Sequence, residues 1–201
     1  MIAIIDYDAG NLKSVEKAFQ YLGEKAVITR DKEMILHADK VVLPGVGAVG
    51  DAMQKLHKYE LVNLVKQIGQ SEKPFLGICL GQQLMFERSD EAPGVEGLSI
   101  LEGEVVRIPD HGTLKIPHIG WNDLQINPDA KLFRGIKSGS YVYFVHSYYV
   151  KAKHRQEVAA TTEYATLIDA AVEKGTTFAC QFHPEKSGDV GLQILKNFAS
   201  L

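Results

Sequence analysis

The chain has 201 residues, of which 45% are hydrophobic and 23% charged, and its formal net charge is −3. This composition predicts one globular domain over residues 1–201 and argues against a disordered chain. The small net charge gives no electrostatic reason to expect nucleic acid or an anionic membrane surface as a partner. No apolar run reaches membrane-spanning length and the first residues lack a signal-peptide pattern, so we expect a cytoplasmic protein.

The first half of the chain alternates between short apolar runs and helical patterns. Asn11 is the predicted N-cap of the first helix, and Gly23 ends that helix. Strands alternating with helices predict an α/β fold with a parallel sheet and helices on both faces, and ligands bind at the carboxyl ends of such strands. The predicted strands cover residues 1–6, 26–29, 40–43 and the run ending at Cys79, and the predicted helices cover 12–22, 34–37, 49–56 and 61–68.

From residue 97 onward the segments are shorter and richer in strand formers. We therefore expect a mixed, mostly parallel sheet that continues as antiparallel strands in a β-rich C-terminal half. A final helix over 188–198 carries one apolar stripe. The predicted strands cover residues 103–108, 115–121, 140–150, 157–162 and 167–181, the last broken by a turn at 173–176.

The run 77–81 reads Gly-x-Cys-x-Gly between a predicted strand and a predicted helix. A sharp strand-to-helix turn of this kind exposes its central side chain and leaves no room beside it, which the two glycines satisfy. A thiol at a helix N-terminus is favoured as the thiolate, so Cys79 is a candidate nucleophile. The alternative is a buried cysteine acting as a small apolar residue.

Only two cysteines, Cys79 and Cys180, occur in the chain. Two cysteines do not make a disulfide framework, and we expect both to be reduced. We interpret Cys180 as a core residue, because it alternates with Phe178 and Phe182. The seven histidines show no metal-binding spacing, so we predict no metal site and no cofactor.

Residues 44–47 read Pro-Gly-Val-Gly at the end of the neighbouring predicted strand. Glycines on both sides of Val46 allow backbone N–H groups to turn inward, as an oxyanion hole requires, with the N–H of Leu80 as second donor. The alternative is an ordinary Pro-Gly turn.

His183-Pro184-Glu185 stands just before the final helix. The proline keeps His183 extended, so the imidazole and the carboxylate of Glu185 can lie on the same side of the chain. A histidine can then move protons for the thiol while the carboxylate orients it. Without a nucleophile nearby, the same pair would be a strand-end histidine beside a solvated glutamate.

These motifs together resemble those of the class I, or triad, glutamine amidotransferases, whose fold is flavodoxin-like. Within that family the chain is most similar to the glutaminase subunits of imidazole glycerol phosphate synthase, enzymes of histidine biosynthesis. The narrower resemblance extends over the whole chain and depends on residues 6–12, 117–122, 143–148, 161–164 and 182–187.

The resemblance implies that Cys79 attacks the side-chain amide of glutamine to give a thioester and ammonia. It implies that His183 protonates the ammonia and Glu185 orients the imidazole, with the N–H groups of Val46 and Leu80 as oxyanion donors. The residues implied to bind the substrate are Gly47, Gln83, Glu91 and Ser147, the last partly through its main chain.

The resemblance also implies a partner, a (β/α)₈-barrel cyclase subunit that forms a heterodimer and receives the ammonia through a channel. Asn11, Trp121 and Lys186 match the docking face of the family, although Trp121 could be an ordinary core residue and Lys186 a solvated charge. Asp8 and Ala165 stand where glycine is common in the family, and Gln82 stands where methionine is common.

Other functions remain open at this point. A free-standing cysteine hydrolase of the same fold, such as a γ-glutamyl hydrolase or a peptidase, would carry the same motifs. A subunit serving anthranilate, carbamoyl phosphate or pyridoxal phosphate synthesis would differ only in its acceptor. A glutamine-sensing subunit without turnover is the non-enzymatic alternative, and it has no need of an ordered Cys, His and Glu.

Overall fold

The first half of the computed structural model, which describes residues 1–110, 112 and 114–201, is built from parallel strands and connecting helices. The four strands pair in parallel around a central β1 and β3. This confirms the predicted alternation of strands and helices. The elements are β1 (Ile2–Ile5), α1 (Leu12–Tyr21), β2 (Ala26–Thr29), α2 (Lys32–His37), β3 (Lys40–Gly45), α3 (Val49–Lys58), α4 (Val62–Gly69) and β4 (Phe75–Cys79).

The rest of the chain, from Leu80 onward, supplies the strands that pair antiparallel. Its elements are α5 (Leu80–Leu84), β5 (Arg88–Ser89), β6 (Gly103–Arg107), β7 (His118–Ile126), β8 (Ser140–His146), β9 (Tyr148–Ala152), β10 (Val158–Tyr164), β11 (Thr166–Lys174), β12 (Thr177–Cys180) and α6 (Gly188–Ala199). Single-turn 3₁₀ helices lie at Lys131–Phe133, Arg155–Glu157 and Pro184–Lys186.

Nine strands form one large sheet in the order β2-β1-β3-β4-β12-β11-β10-β7-β8. Its first half, up to β12, is parallel, and the remaining pairs are antiparallel, so the parallel part is smaller than the sequence suggested. The strand β12 is the junction, because it runs parallel to β4 and antiparallel to β11. The ends of β4 and β12 therefore lie side by side at one edge of the sheet.

One predicted strand is interrupted. The run 140–150 breaks at Ser147, where β8 ends and β9 leaves the large sheet. Together with β5 and β6, β9 forms a separate three-stranded sheet. The break puts Ser147 and the first residues of β9 at the edge where β4 ends.

Helices cover both faces of the large sheet, as the alternation of side chains along each strand requires. In β1, Ala3 and Ile5 face one core, and Ile2 and Ile4 face the other. The first core is closed by buried residues of α2, α3 and α4, and the second by those of α1 and α6. Within the described residues, no helix combines the length and the hydropathy needed to cross a bilayer.

Two of the positions where the resemblance leads us to expect glycine adopt left-handed backbone. Asp8 has a φ of 62° and Ala165 a φ of 60°. Residues other than glycine adopt this conformation at a cost, so a glycine would be accommodated at either position without strain. The Asp8 side chain is held by Arg30 and Tyr59, whereas Ala165 lies in the tight turn between β10 and β11.

Candidate active site

Cys79 occupies a strained turn between β4 and α5. Its φ is 56° and its ψ is −110°, which is unusual for any residue other than glycine. A Cβ atom on Gly81 would lie 1.7 Å from the carbonyl oxygen of Leu43, and one on Gly77 would lie 2.9 Å from the carbonyl oxygen of Gly81. The two glycines predicted to flank a nucleophile elbow are therefore both required by the packing.

A cavity of about 470 Å³ opens beside Cys79. The structure brings together in it most of the residues singled out from the sequence, whereas Asn11, Trp121 and Glu185 do not line it. The lining residues are Val46, Gly47, Cys79, Leu80, Gln83, Glu91, Pro117, Val145, His146, Ser147, Tyr148, His183 and Lys186.

His183 follows the end of β12 and so reaches the same edge of the sheet as Cys79. Its Nδ1 lies 2.7 Å from Oε1 of Glu185, and both side chains are buried. Its Nε2 is buried and has no hydrogen-bond partner among the residues that the structure describes. Burial works to lower the pKa of His183, but its electrostatic interactions with Cys79 and Glu185 outweigh it and raise the pKa to about 9.

Asn11 supports the pair instead of capping α1 with its side chain. It stands at the N-cap position with a φ of 71°, but its side chain makes no capping hydrogen bond. Its amide Nδ2 donates to Oε1 of Glu185, the oxygen that also faces His183. Asn11 therefore stands at the predicted N-cap position, but its side chain does not cap the helix, because its amide is used by Glu185.

The backbone of His183 is fixed on the last strand of the large sheet. The His183 N–H donates to the Tyr143 carbonyl of β8 over 3.0 Å. The Ser187 hydroxyl donates to the His183 carbonyl over 2.6 Å and accepts the Tyr143 N–H over 3.0 Å. Ser187 was not singled out from the sequence, although it directly follows His-Pro-Glu-Lys.

The Pro44–Gly47 stretch runs past Cys79 on the other side. The strand β3 continues to Gly45, one residue beyond the proline where we expected it to end, and Gly45 pairs with Cys79 in register. The buried Tyr7 hydroxyl donates to the Pro44 carbonyl over 2.8 Å. Burial, with a contribution from the charge of Cys79, raises the pKa of Tyr7, so this hydroxyl stays protonated and remains a donor. Gly47 has a φ of 105°, where its lack of a side chain is needed.

The predicted substrate-binding side chains are held by backbone groups around the cavity. Oε2 of Glu91 accepts the N–H of Val49 over 2.8 Å at the start of α3, and its other oxygen accepts no hydrogen bond from the described residues. Nε2 of Gln83 donates to the Tyr148 carbonyl over 3.0 Å. The Ser147 carbonyl accepts the Ile108 N–H over 2.9 Å, so its hydroxyl and N–H are the groups left for a ligand.

The model of the class-I glutamine amidotransferase family matches residues 3–200. The chain is 51% identical over 201 residues to the imidazole glycerol phosphate synthase subunit HisH of Caldanaerobacter subterraneus subsp. tengcongensis, covering 100% of this chain and 98% of that protein. It is 48% identical to the HisH subunit of Bacillus thuringiensis, covering 98% and 93% of the two chains. The chain belongs to the HisH family of class-I glutamine amidotransferases.

Solved structures agree with this family in fold. A glutamine amidotransferase crystal structure superposes with a TM-score of 0.76 at 20% identity, covering 99% of this chain and 100% of the other. A glutamine amidotransferase from Thermotoga maritima gives a TM-score of 0.67 at 21% identity, covering 99% and 82%. These structures confirm the fold class predicted from the sequence. The family model and the HisH relatives confirm the predicted family and the predicted enzyme, a subunit of imidazole glycerol phosphate synthase.

A pair of buried histidines that we did not predict lies at the cavity wall, where His146 lines the cavity and His118 stands behind it. Nδ1 of His146 lies 2.9 Å from the Tyr148 carbonyl, and Nε2 of His146 lies 3.0 Å from Nδ1 of His118. A carbonyl can only accept, so His146 carries its proton on Nδ1 and His118 is the donor between the rings. Burial lowers the pKa of His118 to about 4 and that of His146 to about 3, so both are neutral near pH 7.

Gln181 is a further polar residue at the site that sequence reasoning missed. It is fully buried, and its Nε2 lies 3.7 Å from Sγ of Cys79. The signal that could have found it is the alternation around the end of β12, where Cys180 and Phe182 face the core. Gln181, between them, faces the other way and reaches Cys79.

Trp121 lies on the outside of the sheet and is 55% exposed, so the interpretation as a core residue is wrong. Its ring meets the Tyr143 ring edge-on with centroids 6.2 Å apart, and Ile119 and Tyr141 beside it are also exposed. Lys186 is exposed at the cavity wall.

Within the described residues, no group of three His, Cys, Asp or Glu side chains is arranged to hold a metal ion.

Proposed function

We propose that this chain hydrolyses glutamine to glutamate and ammonia, and that it is the glutaminase subunit of an imidazole glycerol phosphate synthase in histidine biosynthesis. The proposal depends on one observation: the strained Cys79 and His183 line the same cavity, and Glu185 holds the His183 ring from behind. Relatives that share about half of their residues with this chain are named as HisH subunits of that synthase.

The reaction requires one nucleophile and one group that moves protons. The Cys79 thiolate attacks the side-chain carbonyl carbon of glutamine, and the C–N bond breaks as His183 gives its Nε2 proton to the departing ammonia. A water molecule then loses a proton to His183 and attacks the thioester, which releases glutamate and the thiolate. Glu185 stabilises the imidazolium through the 2.7 Å contact with Nδ1.

The oxyanion of each tetrahedral intermediate needs donors that are in place before the reaction. We assign this role to the backbone N–H groups of Leu80, at the start of α5, and Val46, beside Gly47. For the α-amino and α-carboxylate groups of glutamine we assign Gln83, Glu91, Gly47 and Ser147, all of which line the cavity.

Ammonia released into water is mostly protonated and then no longer a nucleophile, so the product must pass to its acceptor without leaving the enzyme. We propose a heterodimer with the cyclase subunit, docked on the face that carries Asn11, Trp121 and Lys186. The exposed aromatic surface of β7 and β8 supports this, because large exposed apolar side chains that lie together are typical of interaction sites.

An ammonia assay on the purified chain tests the proposal. The chain is incubated with glutamine alone, then with the cyclase of a relative and its phosphoribulosyl-formimino aminoimidazole carboxamide ribonucleotide. We expect weak turnover alone, strong turnover in the complex, and formation of imidazole glycerol phosphate. Glutamine binding without ammonia in any mixture would instead support a sensing role, and ammonia production that the cyclase and its nucleotide leave unchanged would point to another acceptor.

A further inference from the structure

A hydrogen-bond chain connects the wall of the substrate cavity with the sulfur of Cys79. It begins at the Tyr148 carbonyl, which accepts from Nε2 of Gln83 over 3.0 Å. The same Nε2 donates to Oε1 of Gln181 over 2.9 Å. Nε2 of Gln181 then lies 3.7 Å from Sγ of Cys79, within the range of a hydrogen bond to sulfur.

The Tyr148 carbonyl determines which group donates and which accepts in each of these hydrogen bonds. A backbone carbonyl can only accept, so the NH₂ group of Gln83, and not its oxygen, faces Tyr148. Both N–H bonds of Gln83 are then used, and the second can only meet the oxygen of Gln181. The NH₂ group of Gln181 is thereby directed at Cys79, so the sulfur is the acceptor.

We propose that Gln181 is a further catalytic residue, which donates a hydrogen bond to the Cys79 sulfur and favours its thiolate form. This rests on the proposed function, in which that sulfur is the nucleophile. A sulfur anion accepts a hydrogen bond more strongly than a neutral thiol does, so a donor held at this place favours the anion. Because Gln181 is fully buried, water does not compete for the contact.

The ionisable groups around this sulfur are few. His183, Glu91, His146, Tyr148 and Lys186 line the cavity with it, and Tyr7 and Cys180 lie near enough to feel its charge. The Cys180 thiol already donates to the Phe182 carbonyl over 3.6 Å. Of the other groups, the buried His183 and Tyr7 are potential donors, and the Tyr7 hydroxyl is already bonded to Pro44. Gln181 therefore supplies a donor to the sulfur that stays in place when His183 gives up its proton.

Gln82 is a matched control for Gln181. Both glutamines are fully buried and both are close to the elbow, but Nε2 of Gln82 donates to the Asp169 carbonyl over 3.4 Å and its side chain does not line the cavity. Replacing Gln82 by methionine changes a buried amide without touching the donor to the sulfur.

The test measures the rate of alkylation of Cys79 by iodoacetamide as a function of pH, with the modified residue identified by peptide mass. Burial, together with the charges of Glu185 and Cys79, raises the pKa of Cys180, so this second thiol stays unreactive. In Q181M we expect the acid limb of the plot of alkylation rate against pH to move to higher pH by about one unit. This corresponds to an alkylation about tenfold slower at low pH. The shift should be larger in Q181E. The limb should stay at its wild-type position in Q82M.

A second measurement on the wild-type chain decides the question even where a Gln181 variant fails to fold. In protein labelled with ¹⁵N at glutamine, the side-chain N–H signals of Gln181 should shift with pH along the acid limb and move again when Cys79 is alkylated, while those of Gln82 stay fixed. Coincident alkylation profiles for Q181M and wild type, or Gln181 signals that ignore Cys79, would overturn the inference. Neither the alkylation profile nor the NMR signals need turnover. An absence of glutaminase activity would therefore refute the proposed function, and the role of Gln181 could still be tested.

Discussion

Nδ1 of His183 and Oε1 of Glu185 lie 2.7 Å apart, and the same carboxylate oxygen accepts the amide of Asn11. The second oxygen of Glu185 is buried without a partner among the residues described. A buried carboxylate is costly unless its charge is compensated, so the imidazolium of His183 and the amide of Asn11 both stabilise it.

E185Q tests the charge of this pair separately from its shape. Glutamine fills the same space but cannot stabilise an imidazolium, so we expect kcat for glutamine hydrolysis to fall by about 10²- to 10⁴-fold with KM nearly unchanged. The assay follows ammonia release in the presence of the cyclase. E72Q, at an exposed position outside the cavity, is the control and should keep wild-type kcat. A wild-type kcat in E185Q would remove the carboxylate from the mechanism.

C79A should abolish glutamine hydrolysis, because no other nucleophile is present at the elbow. The fold should persist, since a Cys-to-Ala change removes one atom from the cavity wall, and calorimetric binding of glutamine should remain. C180A removes a buried thiol outside the cavity and should keep its activity. Ammonia release by purified C79A would contradict the assignment of the nucleophile.

Gly81 should be intolerant of a side chain because its Cβ would lie 1.7 Å from the Leu43 carbonyl oxygen. We expect G81A to lower the free energy of unfolding by about 3 kcal/mol or more. Gly50 lies within α3, and a Cβ atom there would meet only Ala92, at 3.5 Å. We expect G50A to raise the free energy of unfolding by about 0.5–1 kcal/mol. Urea unfolding measures both, and equal midpoints for the two variants would be inconsistent with the close packing at the elbow.

The buried pair His118 and His146 should make the fold sensitive to acid. Burial lowers their pKa values to about 4 and 3, whereas an unfolded histidine has a pKa of about 6.5. The unfolded chain therefore binds more protons below pH 6.5, and stability present above that pH is lost as the pH falls toward 4.

H118F keeps the aromatic stack on Phe144 and Tyr164 and removes one of these two titrating groups. We expect the free energy of unfolding to fall less steeply with acid, by about 1.4 kcal/mol per pH unit between pH 6.5 and 4. The measurement is urea unfolding at several pH values. The quantity compared between the variants is the slope of the unfolding free energy against pH, and not its absolute value. H57F, at an exposed position, should keep the wild-type slope. The same slope in H118F would show that His118 is not held neutral.

W121A and K186A should lose stimulation by the cyclase with its nucleotide while keeping the basal hydrolysis of the isolated chain. Trp121 offers a large exposed ring, and such rings contribute strongly to interfaces. The comparison is the ratio of ammonia release with and without the partner. L167A removes an exposed apolar side chain from β11 and serves as the control. Full stimulation in both variants would place the partner on another surface.

The sequence predicted the parallel half of the fold well, because its signals are local. The apolar runs of β1 to β4, the helical periods between them and Gly-x-Cys-x-Gly each depend on neighbouring residues only. The break at Ser147 was missed because it follows from the pairing of β9 with β6, whose partners range from Arg107 with Tyr148 to Gly103 with Ala152 and so are far apart in the chain.

The supporting contacts of the site were not predictable for the same reason. Asn11 meets Glu185 across 174 residues of sequence, and Gln83 meets Gln181 across 98. No periodicity records such contacts, and local rules favoured a capping role for Asn11. The exposure of Trp121 was open for a related reason. The strand β7 can turn the face that carries Trp121 either to a core or to the outside, and the local pattern does not say which.

The hydrogen bonds that attach His183 and Ser187 to Tyr143 also affect the association of one copy of the chain with another. The strand β8 is the last in the large sheet, and an uncovered terminal strand can pair with a strand of a neighbouring molecule. Its middle residue, Tyr143, has both backbone groups engaged by His183 and Ser187. A change that frees this segment should therefore cost solubility as well as activity, since the protein would expose a template for aggregation.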